Sequence, residues 1–277
     1  PPFFFLPPTR AYEILSGLVG SEMCIRDRNM NESKINDRFM AFAHRGGTEF
    51  APENTYEAFS SAVDIGYKYL ETDVHPNADN KLMAFHDPTV DRVTNHKGKI
   101  CDFTSSELKK IRVKEKFQIP FLENLIESFS QNFFSIDMKS DQSVKPLIQL
   151  VKSMNVVDRV CFASFSQDRL NYVREEFDNR CITSMGPKEI IKTKILSLIN
   201  FKVRIAPKIS SLPIARYKIK LLNKRHIDFL KSLNIKVIAW TINDVEEINK
   251  LINLGVDGIM TDNISVLKEI LIKKNIW

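Results

Sequence analysis

The sequence predicts an α/β protein built as one closed (β/α)8 barrel, with a small insertion after the second barrel strand. Three observations predict it. From Phe39 onward, short apolar runs alternate with stretches of helical spacing, and eight such pairs follow one another. The chain has 277 residues, enough for one large core and short for two. The alternation breaks once, between His75 and Pro120, and then resumes.

The first strand is the apolar run Met40–Ala43, which ends at His44. Thr55 to Ile65 follows as a helix, with Ala58, Phe59, Ala62 and Ile65 on one face and Asn54 or Thr55 as its cap. Tyr69–Val74 is the second strand. Its side chains alternate with period two, so Glu71 and Asp73 share a face. Pro76 is expected to end this strand before His75 can join that face.

The break holds a strand-like run at Leu82–Phe85, then His86-Asp87-Pro88, where Pro88 keeps Asp87 extended or in a turn. Thr104-Ser105-Ser106-Glu107 has the pattern of a capping box. After the break, strands are expected at Phe133–Met138, Val160–Ala163, Cys181–Thr183, Val203–Ala206, Lys236–Ala239 and Gly258–Met260. Helices are expected at 122–129, 144–154, 167–176, 188–199, 221–233, 245–254 and 266–272, with 207–213 left looser. An open doubly wound sheet is the alternative, but the chain has neither GxGxxG nor GxxxxGK(S/T) to favour it.

Composition places the chain among globular proteins, with 43% hydrophobic and 27% charged residues. The net charge of +6 is spread over dispersed lysines, with no arginine-rich block. That reads first as a basic solvated surface and second as attraction to anionic substrates or membrane surfaces. No motif points to nucleic acid. Four cysteines occur without a CxxC, and Cys161 and Cys181 fall in strand-like runs as core thiols. A reducing compartment, the cytoplasm, is the expected location. Pro1–Arg28 is interrupted by Pro7, Pro8, Arg10 and Glu13, so it reads as neither a membrane span nor a signal peptide. It resembles translated sequencing-adapter sequence and is set aside as extraneous, with Met30 the expected start and 39–272 the expected domain.

The chemistry concentrates at strand ends. Two carboxylates on one face, Glu71 and Asp73, repel unless protonated or bound to a cation, which suits a hard divalent ion. The alternative is a pair of solvated strand-end acids. Asp137 can supply a third oxygen and Lys139, two residues on, a positive charge for phosphate, unless the two form an ordinary ion pair. His44 and His86 lie outside helices, and imidazoles there suit proton transfer to a leaving alkoxide and from water. Structural hydrogen bonds are the alternative reading for each. Arg45 can fork onto a phosphate, and Gly46 and Gly47 allow close backbone approach. His75, His96 and His226 read as structural or surface residues.

The chain resembles the glycerophosphodiester phosphodiesterase family. The matching signatures are AHRGG at 43–47, PENT at 52–55, YLETDVH at 69–75, FHDPTVDRVT at 85–94, IDMK at 136–139, WTIND at 240–244 and GVDGIMTD at 255–262. They occur in family order across 39–272. The resemblance implies a TIM barrel with an inserted lobe at about 75–120. It implies metal-dependent hydrolysis of glycerophosphodiesters to sn-glycerol 3-phosphate and an alcohol. His44 and His86 would be the acid/base pair, and Glu71, Asp73 and Asp137 the ligands of one Mg²⁺ or Ca²⁺. Arg45 and Lys139 would contact phosphate, Glu53 and Asn54 belong to the mouth, and Trp240 walls the substrate. Asp137 stands where many members carry Glu, and Asn263 where Pro is common. Two rival readings are a lysophospholipase D, with Phe85, Phe103 and Phe117 forming an apolar channel, and an inactive phosphodiester-binding barrel. A zinc hydrolase fits the carboxylate-rich set less well.

Overall fold

The computed structural model describes residues 39–203, 205–216 and 219–277. Eight parallel strands follow one another around a barrel: β1 (Met40–Ala43), β2 (Tyr69–Pro76), β3 (Phe133–Met138), β4 (Val160–Ala163), β5 (Ile182–Thr183), β6 (Ile209–Leu212), β7 (Lys236–Ala239) and β8 (Gly258–Thr261). β8 pairs with β1, and a single bridge from Ser184 to Ile209 joins the β5 and β6 sides. Each strand is followed by an outer helix: α1 (Tyr56–Asp64), α2 (Leu122–Ser128), α3 (Val144–Ser153), α4 (Gln167–Glu176), α5 (Pro187–Ile199), α6 (Lys224–Ser232), α7 (Val245–Leu254) and α8 (Ile264–Lys273). The (β/α)8 reading therefore holds.

Local sequence explains the element edges. Thr55 caps α1 by accepting a hydrogen bond from the Ala58 amide, and Asn223 caps α6 by accepting from His226. On α3, Val144, Leu147, Ile148 and Val151 recur at helical spacing and are all buried against the barrel. Among the described residues no helix is long and apolar enough to cross a membrane.

Two expectations are corrected. The sixth strand is Ile209–Leu212, not Val203–Ala206. It is Ile209–Leu212 that matches β7 residue for residue, from Lys236–Ile209 to Ala239–Leu212. Its centre is Ser210-Ser211, and small hydroxyl residues carry little apolar signal even where a barrel interior needs them. The second correction concerns Pro76. β2 runs through His75 to Pro76, because 82–84 returns antiparallel and pairs Pro76 with Leu82. At the strand's last position the missing amide costs no interior ladder bond.

The segment after β2 carries its own small core of Met83, Phe85, Val90, Val93, Ile100, Leu108, Ile111, Val113 and Ile119. Phe103 and Phe117 pack against it, so the insertion's phenylalanines serve packing. The Thr104–Glu107 capping box forms as expected and starts a single helical turn at Ser105–Leu108.

Candidate active site

Strand register assembles the site at the carboxyl ends of the strands. β2 and β3 pair so that Asp73 lies level with Asp137. Lys139, just beyond β3, places its ammonium between them, with Nζ 2.7 Å from Asp73 Oδ1 and 2.6 Å from Asp137 Oδ2. β1 and β8 pair Ala43 with Thr261, so the next residue on each strand meets the other. His44 Nδ1 lies 2.7 Å from Asp262 Oδ1. A carboxylate only accepts, so Nδ1 carries the proton of that bond. Asn243 donates to Asp262 Oδ2 at 2.7 Å, and His44 Nε2 stands 3.9 Å from Glu71 Oε2.

His86 is held in the same manner, with Nδ1 2.6 Å from Asp87 Oδ1. Its backbone carbonyl lies 3.1 Å from His75 Nε2, which makes His75 a support for the loop. Arg92 grips Asp87 at 2.5 Å and Glu53 at 2.6 and 2.9 Å. Glu53 also accepts from Arg45 at 2.9 Å, and Arg45 Nε lies 3.2 Å from Asp73 Oδ2. Opposite charges thus run unbroken from Asp87 through Arg92, Glu53, Arg45, Asp73 and Lys139 to Asp137.

The backbone of the first loop is shaped for this. Arg45 adopts φ 52°, and its amide donates to Glu71 Oε2 at 3.0 Å. Gly46 follows at φ 85°, where a Cβ would sit 2.9 Å from the Phe59 amide nitrogen, so no larger residue fits. Asn54, buried, donates to Asp73 Oδ2 at 3.1 Å and accepts from Thr72 at 2.8 Å. The PENT signature therefore braces β2 as well as starting α1.

These groups line one cavity of about 440 Å³. Its β1–β3 side presents His44, Arg45, Glu71, Asp73, His86, Asp137 and Lys139. Its β4–β7 side is apolar, with Phe165, Met185, Ile190, Leu221 and Trp240. Trp240 meets Phe165 edge-on at 5.7 Å. Of the expected site residues, all but Glu53 and Asn54 line this cavity; Glu53 links Arg45 to Arg92. His96 is exposed, and His226 is buried far along the chain against Leu221 and Thr193.

Burial and the Asp73 charge push the Glu71 carboxyl up to about 7. Burial raises Asp137 too, against the opposing pull of Lys139. Burial would also raise Asp73, but Lys139 and Arg45 outweigh it and hold that carboxyl below its usual range. Burial lowers His44, yet the Asp262 hydrogen bond and the Glu71 charge leave it above the usual imidazole value.

Among the described residues no three His, Cys, Asp or Glu side chains form a ready metal-holding group. The ammonium of Lys139 already satisfies one oxygen each of Asp73 and Asp137. The donor chemistry nonetheless fits a hard cation. Asp137 Oδ1 is buried without a partner, and Glu71 is a carboxyl whose charge the site disfavours until positive charge arrives.

Sequence reasoning missed Asp262, Asn243, Asp87 and Arg92. All four lie inside the quoted signatures. The pairing of β1 with β8 is the signal that finds Asp262, since it makes 44 and 262 equivalent positions.

Residues 44–266 match the Glycerophosphoryl diester phosphodiesterase family. A Caldanaerobacter subterraneus glycerophosphodiester phosphodiesterase is 30% identical over 81% of this chain and 94% of its own. A human lysophospholipase D is 25% identical over 95% of this chain and 98% of its own. A Silicibacter pomeroyi structure described as a glycerophosphoryl diester phosphodiesterase superposes with a TM-score of 0.72 at 18% identity, covering 87% of this chain and 95% of that one. The chain belongs to the glycerophosphoryl diester phosphodiesterase family and is an enzyme of the phosphoric diester hydrolase class.

Proposed function

We propose that this enzyme hydrolyses a glycerophosphodiester to sn-glycerol 3-phosphate and an alcohol. One observation carries the reading. Two imidazoles, each held at Nδ1 by a carboxylate, line one cavity with an arginine, a lysine and three carboxylates. Fixing Nδ1 leaves Nε2 of each ring for proton transfer. One ring takes the proton from the attacking water, or from a glycerol hydroxyl whose cyclic phosphate is then opened by water. The other gives a proton to the leaving oxygen as its bond to phosphorus breaks. Arg45 and Lys139 are the phosphate contacts, able to turn part of their donor set from carboxylate to phosphate oxygen. Glu71, Asp73 and Asp137 are the oxygen donors assigned to one Mg²⁺ or Ca²⁺. Such an ion, when bound, neutralises phosphate charge. Trp240 walls the substrate.

The apolar β4–β7 side of the cavity favours one second reading, a lysophospholipase D reaction in which the glycerol end carries an acyl chain. The experiment is direct. Purified enzyme is offered glycerophosphocholine, glycerophosphoethanolamine, glycerophosphoglycerol and lysophosphatidylcholine, with products identified by mass. Glycerol 3-phosphate from at least one soluble diester supports the first reading. Lysophosphatidic acid as the only product moves the assignment to the second, and no hydrolysis with metal present leaves a binding barrel. We assign the catalytic domain to 39–272, with 1–28 outside it. The free thiols Cys101, Cys161 and Cys181 support a cytoplasmic location.

A further inference from the structure

A helix on the outside of a barrel ordinarily buries apolar residues and exposes polar ones. α5 departs from this: its fully buried positions are hydroxyl residues, and most of its large apolar residues face out. Thr193 and Ser197 are 0 and 3% exposed, while Ile191, Ile195, Leu198 and Ile199 are 59, 58, 56 and 69% exposed. The inward hydroxyls are satisfied: Thr193 donates to the Ile190 carbonyl at 3.1 Å and contacts His226, and Ser197 donates to the Lys194 carbonyl at 2.7 Å. Rolling the helix to hide its isoleucines would break the Thr193–His226 contact and the hydrogen bonds that Arg225 donates to the Ser197 and Leu198 carbonyls, so the outward apolar face is built into the packing.

That face is a stripe, not a scatter. Positions 191, 195 and 198 repeat at helical spacing, Ile199 adjoins them, and exposed Phe201 extends the stripe past the helix end. Exposed Lys188 precedes the stripe on the same helix face, and exposed Lys192 and half-buried Lys194 flank its two sides. The one acid between 187 and 202, Glu189, is engaged with Arg174 at 2.7 Å. A contiguous apolar stripe rimmed by lysines is what an interfacial helix presents to a bilayer with anionic headgroups. Ile191 also forms part of the cavity wall, as does Phe165, so the stripe runs into the apolar side of the cavity.

We propose that the outer face of α5 docks this enzyme on an anionic lipid bilayer, beside which the apolar side of the cavity receives substrate. The link to substrate rests on the phosphodiesterase reading, whereas the docking rests on α5 alone. The test is flotation of the full chain with vesicles of phosphatidylcholine, with and without phosphatidylglycerol. The chain is expected to float with the phosphatidylglycerol-containing vesicles and to be released by salt. Ile195→Glu with Leu198→Glu should cut the bound fraction by about tenfold or more, and Lys188→Glu with Lys192→Glu should cut it and remove the salt dependence. Both variants should hydrolyse, at the wild-type rate, whichever soluble glycerophosphodiester the wild type cleaves. Equal flotation of wild type and both variants, or no flotation with anionic vesicles, overturns the proposal. So does a dimer in light scattering that Ile195→Glu dissolves, since the stripe would then be covered by a second copy. Flotation that obeys the expected pattern, in an enzyme that cleaves no diester, leaves the docking standing and removes only the reaction.

Discussion

Asp262 does for His44 what Asp87 does for His86: it holds Nδ1 of the ring and leaves Nε2 for the proposed proton transfer. Replacing Asp262 with Asn should lower kcat by about 100-fold with little change in KM. The sign of its effect on pH dependence follows from the site. Burial lowers the His44 pKa, and Asp262 is the leading cause that raises it, so the variant's imidazole loses its proton at lower pH. The limb of the pH–rate profile that reports His44 should move to lower pH, and an unmoved limb would show that Asp262 is structural only. Lys139 makes a second test. It stands between two buried carboxylates, so Lys139→Met leaves Asp137 without a cation and Asp73 with Arg45 alone, and should cost about 3–5 kcal/mol at neutral pH. Asp73 is held below its ordinary 3.8, so its pairing stabilises the fold above that pH and is lost as pH falls. The deficit of the variant, measured by urea unfolding, should therefore shrink on acidification.

At the scale of elements, the contact of α5 with α6 is a polar one. His226 is buried between the Leu221 carbonyl and Thr193, and burial holds its pKa below the ordinary 6.5. It is neutral when folded and charged when unfolded just below pH 6.5, so its share of stability is complete above that pH and declines below it. His44, with a raised pKa, works in the opposite sense, so the useful readout is a difference. The thermal midpoint of His226→Gln should lose less than that of wild type as pH falls through 6.5, and parallel losses would contradict this. The elements themselves were largely readable. β2 and β3 were legible because their apolar runs carry charged residues at period two, Glu71 with Asp73 and Asp137 with Lys139, and the capping box over Thr104–Glu107 is a local signal. β6 was not, because Ser210 and Ser211 show no apolar alternation and its identity depends on pairing with Lys236–Ala239. Pro76 misled for a related reason, since only the returning strand at 82–84 reveals that its position needs no amide bond. The site divides in the same way. His44, Glu71, Asp73 and His86 stand in local signatures, while Asp262 and Arg92 join the site through register and long-range ion pairs.

In the whole molecule, the barrel is a scaffold that brings charges from β1, β2, β3, β8 and the insertion to one cavity. Chelation with EDTA should abolish hydrolysis, and Mg²⁺ or Ca²⁺ should restore it; full activity after exhaustive chelation would reject the cation assigned to Glu71, Asp73 and Asp137. A chain beginning at Met30 should keep both its thermal midpoint and its activity if 1–28 lies outside the catalytic domain. The central claim is that His44 and His86 together cleave a glycerophosphodiester in this cavity. It is tested most directly by the rate of sn-glycerol 3-phosphate release from a soluble diester by wild type, His44→Ala and His86→Ala, each confirmed as folded by circular dichroism. Release by wild type and a loss of about 10²–10⁴-fold in each variant are expected. Wild-type rates in either folded variant would contradict it.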